Sequence, residues 1–427
     1  MTMSAQVDAG GRSPRLFGRH DAGRRIELLA AVLIVVGAVG WRRGEYFSGS
    51  LDPVVVGKAV VSLLALSLAF LRAQSVPGRR LGTGTLWWLG LLLGISVFGA
   101  LTADLLVAGG VVAIRVAVLA ATVVFLLRAA PAVQVITDLA RACGAVAVVA
   151  AGTGLPTITS GRLAGGVPAI DPNELALLSG VVVLVLAWRA VLGEARWSAG
   201  VTGAVLLAVV WVTGSRTGLL MLLLGIAVMA VQIRRPRVGL VVGCLVLGAV
   251  GAVGAVATGA VAAFAGRDGT GASTLDSRFI AWRASLSWAD SAWQEVFGGG
   301  LSVKIIRVYG QYWQTQPLDS SWVSLLVQTG VLGVLCALGW SLWAFRGALR
   351  APHPHRVLFL GLLVFLLGRS TLESGLFDAT PAFLLFLAVS LLAEGGSRQR
   401  LRDEAASGAG GIPEPALDDA RTPSGRR

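Results

Sequence analysis

The chain is built from apolar blocks of helix length separated by short polar connections. Runs able to cross about 30 Å of hydrocarbon as helix fall at 26–41, 53–71, 85–101, 105–127, 139–156, 174–190, 198–213, 217–233, 238–264, 320–343, 357–369 and 379–393. The pattern predicts an all-α polytopic membrane protein with about 12 transmembrane helices, since only a helix satisfies its own backbone in lipid without a closed barrel. One polar stretch, residues 266–319, is by far the longest between two apolar runs, and it predicts a long outer loop containing short helices. A polar leader, 1–25, precedes the transmembrane body, 26–394. The leader carries Arg12, Arg15, Arg19, Arg24 and Arg25 but no convincing small-residue cleavage site, which favours an uncleaved first helix. Residues 395–427 mix Arg, Asp, Glu, Pro, Gly and Ser without periodicity, as a disordered cytoplasmic tail would.

The connections carry an independent signal. Cytoplasmic loops collect Lys and Arg, and alternate turns here are basic: Arg24 and Arg25, then Arg72, Arg79 and Arg80, then Arg128 and Arg141, Arg189 and Arg196, Arg234, Arg235 and Arg237, and last Arg346, Arg350 and Arg356. The intervening turns hold Glu45, Asp52, Asp104, Asp171, Glu174, Glu373 and Asp378, with Arg42 and Arg43 breaking the rule. Both termini then lie in the cytoplasm and the 266–319 loop lies outside. Composition agrees: a net charge of +13 coexists with a mean hydropathy of +0.76 and only 14% charged residues. Basic groups segregated from an apolar body argue for a lipid bilayer as partner and against nucleic acid. Cys143, Cys244 and Cys336 lie in or beside apolar runs, so neither a disulfide framework nor a thiolate metal site is favoured.

Against this background, outer arginines stand out. Arg162 precedes the Asp-Pro-Asn-Glu cluster 171–174, Ser215 and Arg216 sit in a tight turn between apolar runs, and Arg278 and Arg283 lie on a helix with Trp282 and Trp288. Arginine is a permanently charged planar fork suited to phosphate oxygens. Several of them at an outer membrane face would hold a lipid-linked diphosphate and stabilise it as a leaving group. The plainer alternatives are lipid-phosphate contacts for Arg283 and Arg307, and an interfacial aromatic belt for Trp282, Trp288, Trp293, Trp313 and Trp322. Asp319, Glu174 and Asp276 are the candidates for a base, Asp319 first because it stands where the loop re-enters the membrane. Asp319 could equally cap the next helix with Ser320 and Ser321, and Gly298–Gly300 reads as a flexible turn. Glu373 reads as structural.

Taken together, SGRLAG and DPNE within 160–174, TGSRTGLL at 213–220, DSRFIAWRASLSW from 276, FGGGL at 297–301 and LDSSWVSLLVQTGVLG at 318–333 resemble the O-antigen ligase and O-antigen polymerase superfamily of bacterial membrane glycosyltransferases. The resemblance is specific over roughly 150–345 and rests on hydropathy alone in the flanks.

The resemblance implies a cofactor-free enzyme of the bacterial cytoplasmic membrane, active on its outer face. It would move glycan from an undecaprenyl-diphosphate-linked donor to an acceptor glycan, with a chain-length regulator or a flippase as further partners. It assigns diphosphate contacts to Arg216 and Arg278, and to Arg162 beside them. The ligases carry a histidine in the segment matched by Leu318-Asp319-Ser320-Ser321, where this chain has none; His20, His353 and His355 fall in the leader or on the cytoplasmic side. That departure favours a repeat-unit polymerase, with ligation to another envelope acceptor as the alternative. A lipid-linked oligosaccharide transporter is the rival class; it would place charges deep in the spans, where Lys58 and Arg115 are the clearest examples.

Overall fold

Several of the apolar runs become helices that start where a polar residue precedes proline, as at Pro53, Pro172 and Pro381, or where a serine caps, as at Ser215 and Ser320. In the computed structural model, which describes residues 16–43, 52–194, 197–232, 271–308 and 314–406, the first half comprises α1 (Leu16–Ala38), α2 (Pro53–Gln74), α3 (Gly84–Thr102), α4 (Leu106–Ala129), α5 (Ala132–Gly154), α6 (Pro172–Val191), α7 (Trp197–Val212) and α8 (Arg216–Val231). Beyond them come α9 (Gly271–Leu286), α10 (Ala292–Phe297), strands β1 (Ile305–Arg307) and β2 (Thr315–Pro317), and then α11 (Ser321–Leu349), α12 (His353–Ser370), α13 (Pro381–Ala393) and α14 (Gly395–Ala406). Side chains of 16–21 and 271–277 lie outside the description, as does the whole of the predicted 238–264 span. Asp52 opens α2 by accepting the Val55 N–H at 2.9 Å, with Pro53 at the first helical position. Thr380 and Pro381 repeat the device at α13. In both cases the proline supplies a preset φ where no N–H is needed.

Every predicted apolar segment among the described residues coincides with a helix, yet length and hydropathy single out six that could cross a membrane. A seventh is obtained if α13 and α14, bent by 83°, count as one. The estimate of about 12 is therefore not reached on these criteria. α7 and α8 have only 16 residues each, α1 carries Arg24, Arg25 and Glu27 along its length, and α12 is polar at both ends, from His353 to Arg356 and at Arg369.

Consecutive helices run back and forth, so their ends collect on two faces. α1 packs on α2 and α5, α2 on α4, α5 on α6, and α8 on α12. α13 is the axis: all its residues are buried, and it touches α3, α4, α5, α11 and α12. α2 and α3 turn Val56, Val60, Leu63, Leu64, Trp87 and Leu91 outward, an apolar surface that suits hydrocarbon and not water.

Two expectations change. Gly298–Gly300 is no loose turn: Gly298 has φ 72° and Gly300 φ 92°, and the N–H groups of Gly299 and Gly300 donate to Val327 and Gln328 at 2.9 and 2.8 Å. That contact falls where Gly330, at φ 62°, interrupts α11. The segment 395–427, expected to be disordered, is helical where it is described, and residues 407–427 lie outside the described residues. Residues 395–406 form α14, folded against the end of the bundle that carries Arg79 and Arg128.

Candidate functional site

At the opposite end, the last residues of the long loop and the α12–α13 connection converge on Arg278. Ser320 is the N-cap of α11, accepting from the Val323 N–H at 3.5 Å, which frees the carboxylate of Asp319 from the capping role. Asp319 turns instead to Arg278, its Oδ2 lying 3.5 Å from Nε, and Glu373 Oε1 stands 3.9 Å from Nη2 of the same guanidinium. Ser321 fixes the Glu373 segment by donating N–H and O–H to the Glu373 carbonyl at 3.1 and 2.7 Å, while its hydroxyl accepts from Leu376 N–H at 3.1 Å. One arginine thus faces two carboxylates from different segments. Burial pushes both carboxyls above their ordinary range, against the pull of Arg278 on Asp319 and of Arg369 and Arg278 on Glu373.

The charge continues inward through α6. Arg369, 5% exposed, donates from Nη2 to the Asn173 carbonyl at 2.8 Å and leaves Nε without a partner. Asn173 Oδ1 accepts from Arg162 Nη2 at 3.0 Å, and Arg162 Nε donates to the Thr213 carbonyl at 2.9 Å. Thr213 opens the turn in which buried Ser215 caps α8, accepting from Gly218 N–H at 3.3 Å, with Arg216 exposed at the first helical position. A continuous polar seam therefore joins the turn holding Ser215 and Arg216 to Arg162, Asn173, Arg369, Glu373, Arg278 and Asp319.

No protein-family model matches the chain, and no curated protein sequence matches it.

Other sequence candidates divide. Glu174 follows Asn173 but faces away, accepting the Gly40 N–H with both oxygens at 3.1 Å. Asp171 holds the N-cap position of α6 without a side-chain capping bond, and it is exposed, within electrostatic reach of Arg43 and Arg162. Asp276 lies on α9 among the residues whose side chains are outside the description. Arg283 and Trp282 line a cavity of about 1270 Å³ between α9 and β1, together with Phe279, Trp288, Asp290 and Arg307. Trp282 packs edge-on to Phe279 at 5.5 Å between ring centroids, and its Nε1 has no partner. Arg278 does not line that cavity, so α9 serves both features.

Sequence reasoning passed over Arg369 and the role of Asn173, and it read Glu373 as structural. Asn173 gave no signal beyond its place inside Asp-Pro-Asn-Glu. Arg369 and Glu373, in GRSTLESG, formed a charged pair at an outer helix end, the feature that drew notice to Arg162 and Arg216. A further pair, Lys304 with Asp378, ties the loop to the α12–α13 connection. Burial raises the Asp378 carboxyl, but Lys304 and the Ala379 N–H outweigh it and hold the group below the usual range.

Proposed function

We propose that this protein is a membrane glycosyltransferase that moves glycan from an undecaprenyl-diphosphate-linked donor to an acceptor glycan outside the cytoplasmic membrane, acting as a repeat-unit polymerase. The observation that carries this reading is Arg278 held between Asp319 and Glu373 at the mouth of the helix bundle, with the seam to Arg162 and Arg216 behind it. A guanidinium in such a place has donors for diphosphate oxygens, and a carboxylate beside it can accept a proton. In the proposed step the acceptor hydroxyl oxygen forms a bond to the anomeric carbon. The bond from that carbon to the diphosphate oxygen breaks, the diphosphate leaves with the electron pair, and the hydroxyl proton passes to Asp319. Arg278 and Arg216 meet the charge that develops on the leaving group. Arg162 serves chiefly to hold the Thr213–Arg216 turn, because its fork already binds Thr213 and Asn173. The cavity beneath α9 offers the indole faces of Trp282 and Trp288 and the guanidinium of Arg283 to the sugars.

The test uses purified protein in lipid, supplied with undecaprenyl-diphosphate-linked repeat units and read out as glycan length on the carrier. A ladder of added units is expected, falling by about 10²–10³-fold in rate in Arg278→Ala, the usual cost of one donor to developing charge. An undiminished ladder in both Arg278→Ala and Arg216→Ala at equal protein level sinks the mechanism. Glycan lost to a second acceptor without lengthening points to ligation. Glycan unchanged but moved between leaflets points to transport, the class for which Lys58 and Arg115 inside α2 and α4 would speak.

A further inference from the structure

The face opposite Arg278 carries a second concentration of charge that the proposed reaction does not use. Two adjoining cavities, of about 690 and 320 Å³, open there between the start of α1, the α2–α3 connection and the end of α4, and they share Gly78 and Arg79. Arg24, Arg72 and Arg79 line the larger, and Arg79, Arg80 and Arg128 the smaller. Among the described residues, Glu27 is the one carboxylate lining either. Its charge is already engaged: Arg72 Nε lies 2.8 Å from Oε1, and Gln134 donates to Oε2. Glu404 reaches in from α14 to Arg79 at 3.0 Å, but it also accepts from Arg400 at 2.7 Å and from the Ala132 N–H at 2.9 Å.

Arg80 and Arg128 are left exposed, with no ion pair among the described residues; Arg24 is exposed too, within electrostatic reach of Asp138, a carboxylate that Arg141 already holds at 2.7 Å. Gly78 lets Arg128 lie close, since a Cβ there would stand 3.1 Å from Nη2. The smaller cavity is not wholly polar: Leu81, Leu86, Val124 and Leu391 form its other wall. Two guanidinium groups without an ion pair beside an apolar wall, with Arg24 at the adjoining cavity, stand at the end of helices long and apolar enough to cross a membrane, and they fit a ligand that is anionic at one end and hydrocarbon at the other. Free phosphate would meet the arginines and leave the apolar wall uncovered.

We propose that this cleft binds the phosphate headgroup of an anionic phospholipid, with Arg80 and Arg128 holding the phosphate, Arg24 adding positive charge from the adjoining cavity, and Leu81, Leu86, Val124 and Leu391 meeting the start of an acyl chain. Guanidinium forks match phosphate oxygens better than ammonium groups do. Each basic group near such a headgroup contributes about 5-fold in affinity, so removing three costs about 10²-fold.

The experiment is native mass spectrometry of the full-length protein, delipidated in uncharged detergent and titrated with phosphatidylglycerol or with phosphatidylcholine of the same acyl chains. Phosphatidylglycerol should form saturable adducts, weakened by about 10²-fold in the triple variant Arg24→Gln, Arg80→Gln, Arg128→Gln, while phosphatidylcholine adducts stay unchanged. If that variant is poorly folded, Arg80→Gln and Arg128→Gln singly report the same site, each with a loss of about 5-fold. Full retention of phosphatidylglycerol binding in the variants, or equal binding of phosphatidylcholine by the parent protein, overturns the proposal. Complete displacement of the lipid by millimolar inorganic phosphate also overturns it and assigns the arginines to a free anion.

Discussion

At the residue scale, Asp319 is decided by its neighbour. Because Ser320 caps α11, Asp319 is available to Arg278, and its carboxyl sits above the ordinary value of about 3.9. The sign follows from burial, which favours the neutral form: the proton is retained to higher pH, so a base at this position fails on the acid side sooner than an exposed aspartate would. If the proposed function holds, the rate of glycan transfer should therefore show an acid limb displaced upward. Arg278→Gln, which removes the cation holding the carboxyl down, should move that limb higher still in whatever activity remains. Asp319→Asn should lower the rate by about 10²-fold or more and abolish the limb. An unchanged limb in Asp319→Asn, measured as a pH profile of single-turnover transfer, assigns the proton to another group.

Among the elements, the junction of the 296–300 turn with α11 matters most. A Cβ at Gly330 would come within 2.3 Å of the Val296 backbone, and one at Gly298 within 2.3 Å of the Gln328 backbone, so each glycine makes room for the other strand of chain. Both also sit at positive φ, at 62° and 72°, where an L side chain costs about 1–2 kcal/mol before any clash. This junction sets how the long loop is seated, since Leu301 N–H next donates to Ser96 Oγ of α3 at 3.0 Å. Gly330→Ala and Gly298→Ala should each destabilise the protein by about 3 kcal/mol or more, read as a lowered thermal midpoint in detergent. Gly90→Ala and Gly94→Ala, where a Cβ meets nothing within 4 Å, serve as controls expected to stay within about 0.5 kcal/mol.

For the whole molecule, α14 closes the end of the bundle. Glu394 accepts the Gly84 N–H at 3.0 Å and the Thr85 N–H, placing a carboxylate at the positive end of α3. Arg400 donates to the Leu127 and Ala130 carbonyls at 2.7 Å, satisfying the end of α4, and Glu404 accepts from Ala132 at the start of α5. These bonds join helices distant in sequence. Arg400→Ala would leave two carbonyls and Glu404 short of a donor in a buried place, and a loss of about 3–5 kcal/mol is expected. Limited proteolysis should then cut the chain after α13, where the parent protein is protected. Equal protection in the variant means that the Arg400 network does not hold α14.

The sequence by itself determined where the helices lie, because burying a backbone in an apolar medium leaves the helix as the local solution and the apolar runs mark its extent. It also determined which connections are basic, and it singled out Arg162, Arg278 and Asp319, whose charge is out of keeping with their surroundings. Tertiary structure decided the partners. Whether Asp319 caps a helix or meets an arginine depended on a serine one residue away and on a helix more than thirty residues upstream. Glu373 and Arg369 joined the seam through the return of α12 beside α6, a contact between segments with no common pattern. The same holds for α14, whose charged and aperiodic sequence gives it no apolar face of its own, and whose order comes from helix ends that needed donors and acceptors. Hydrophobic patterning is a property of neighbours along the chain, whereas charge pairing and backbone satisfaction are set by what the fold brings within about 3 Å.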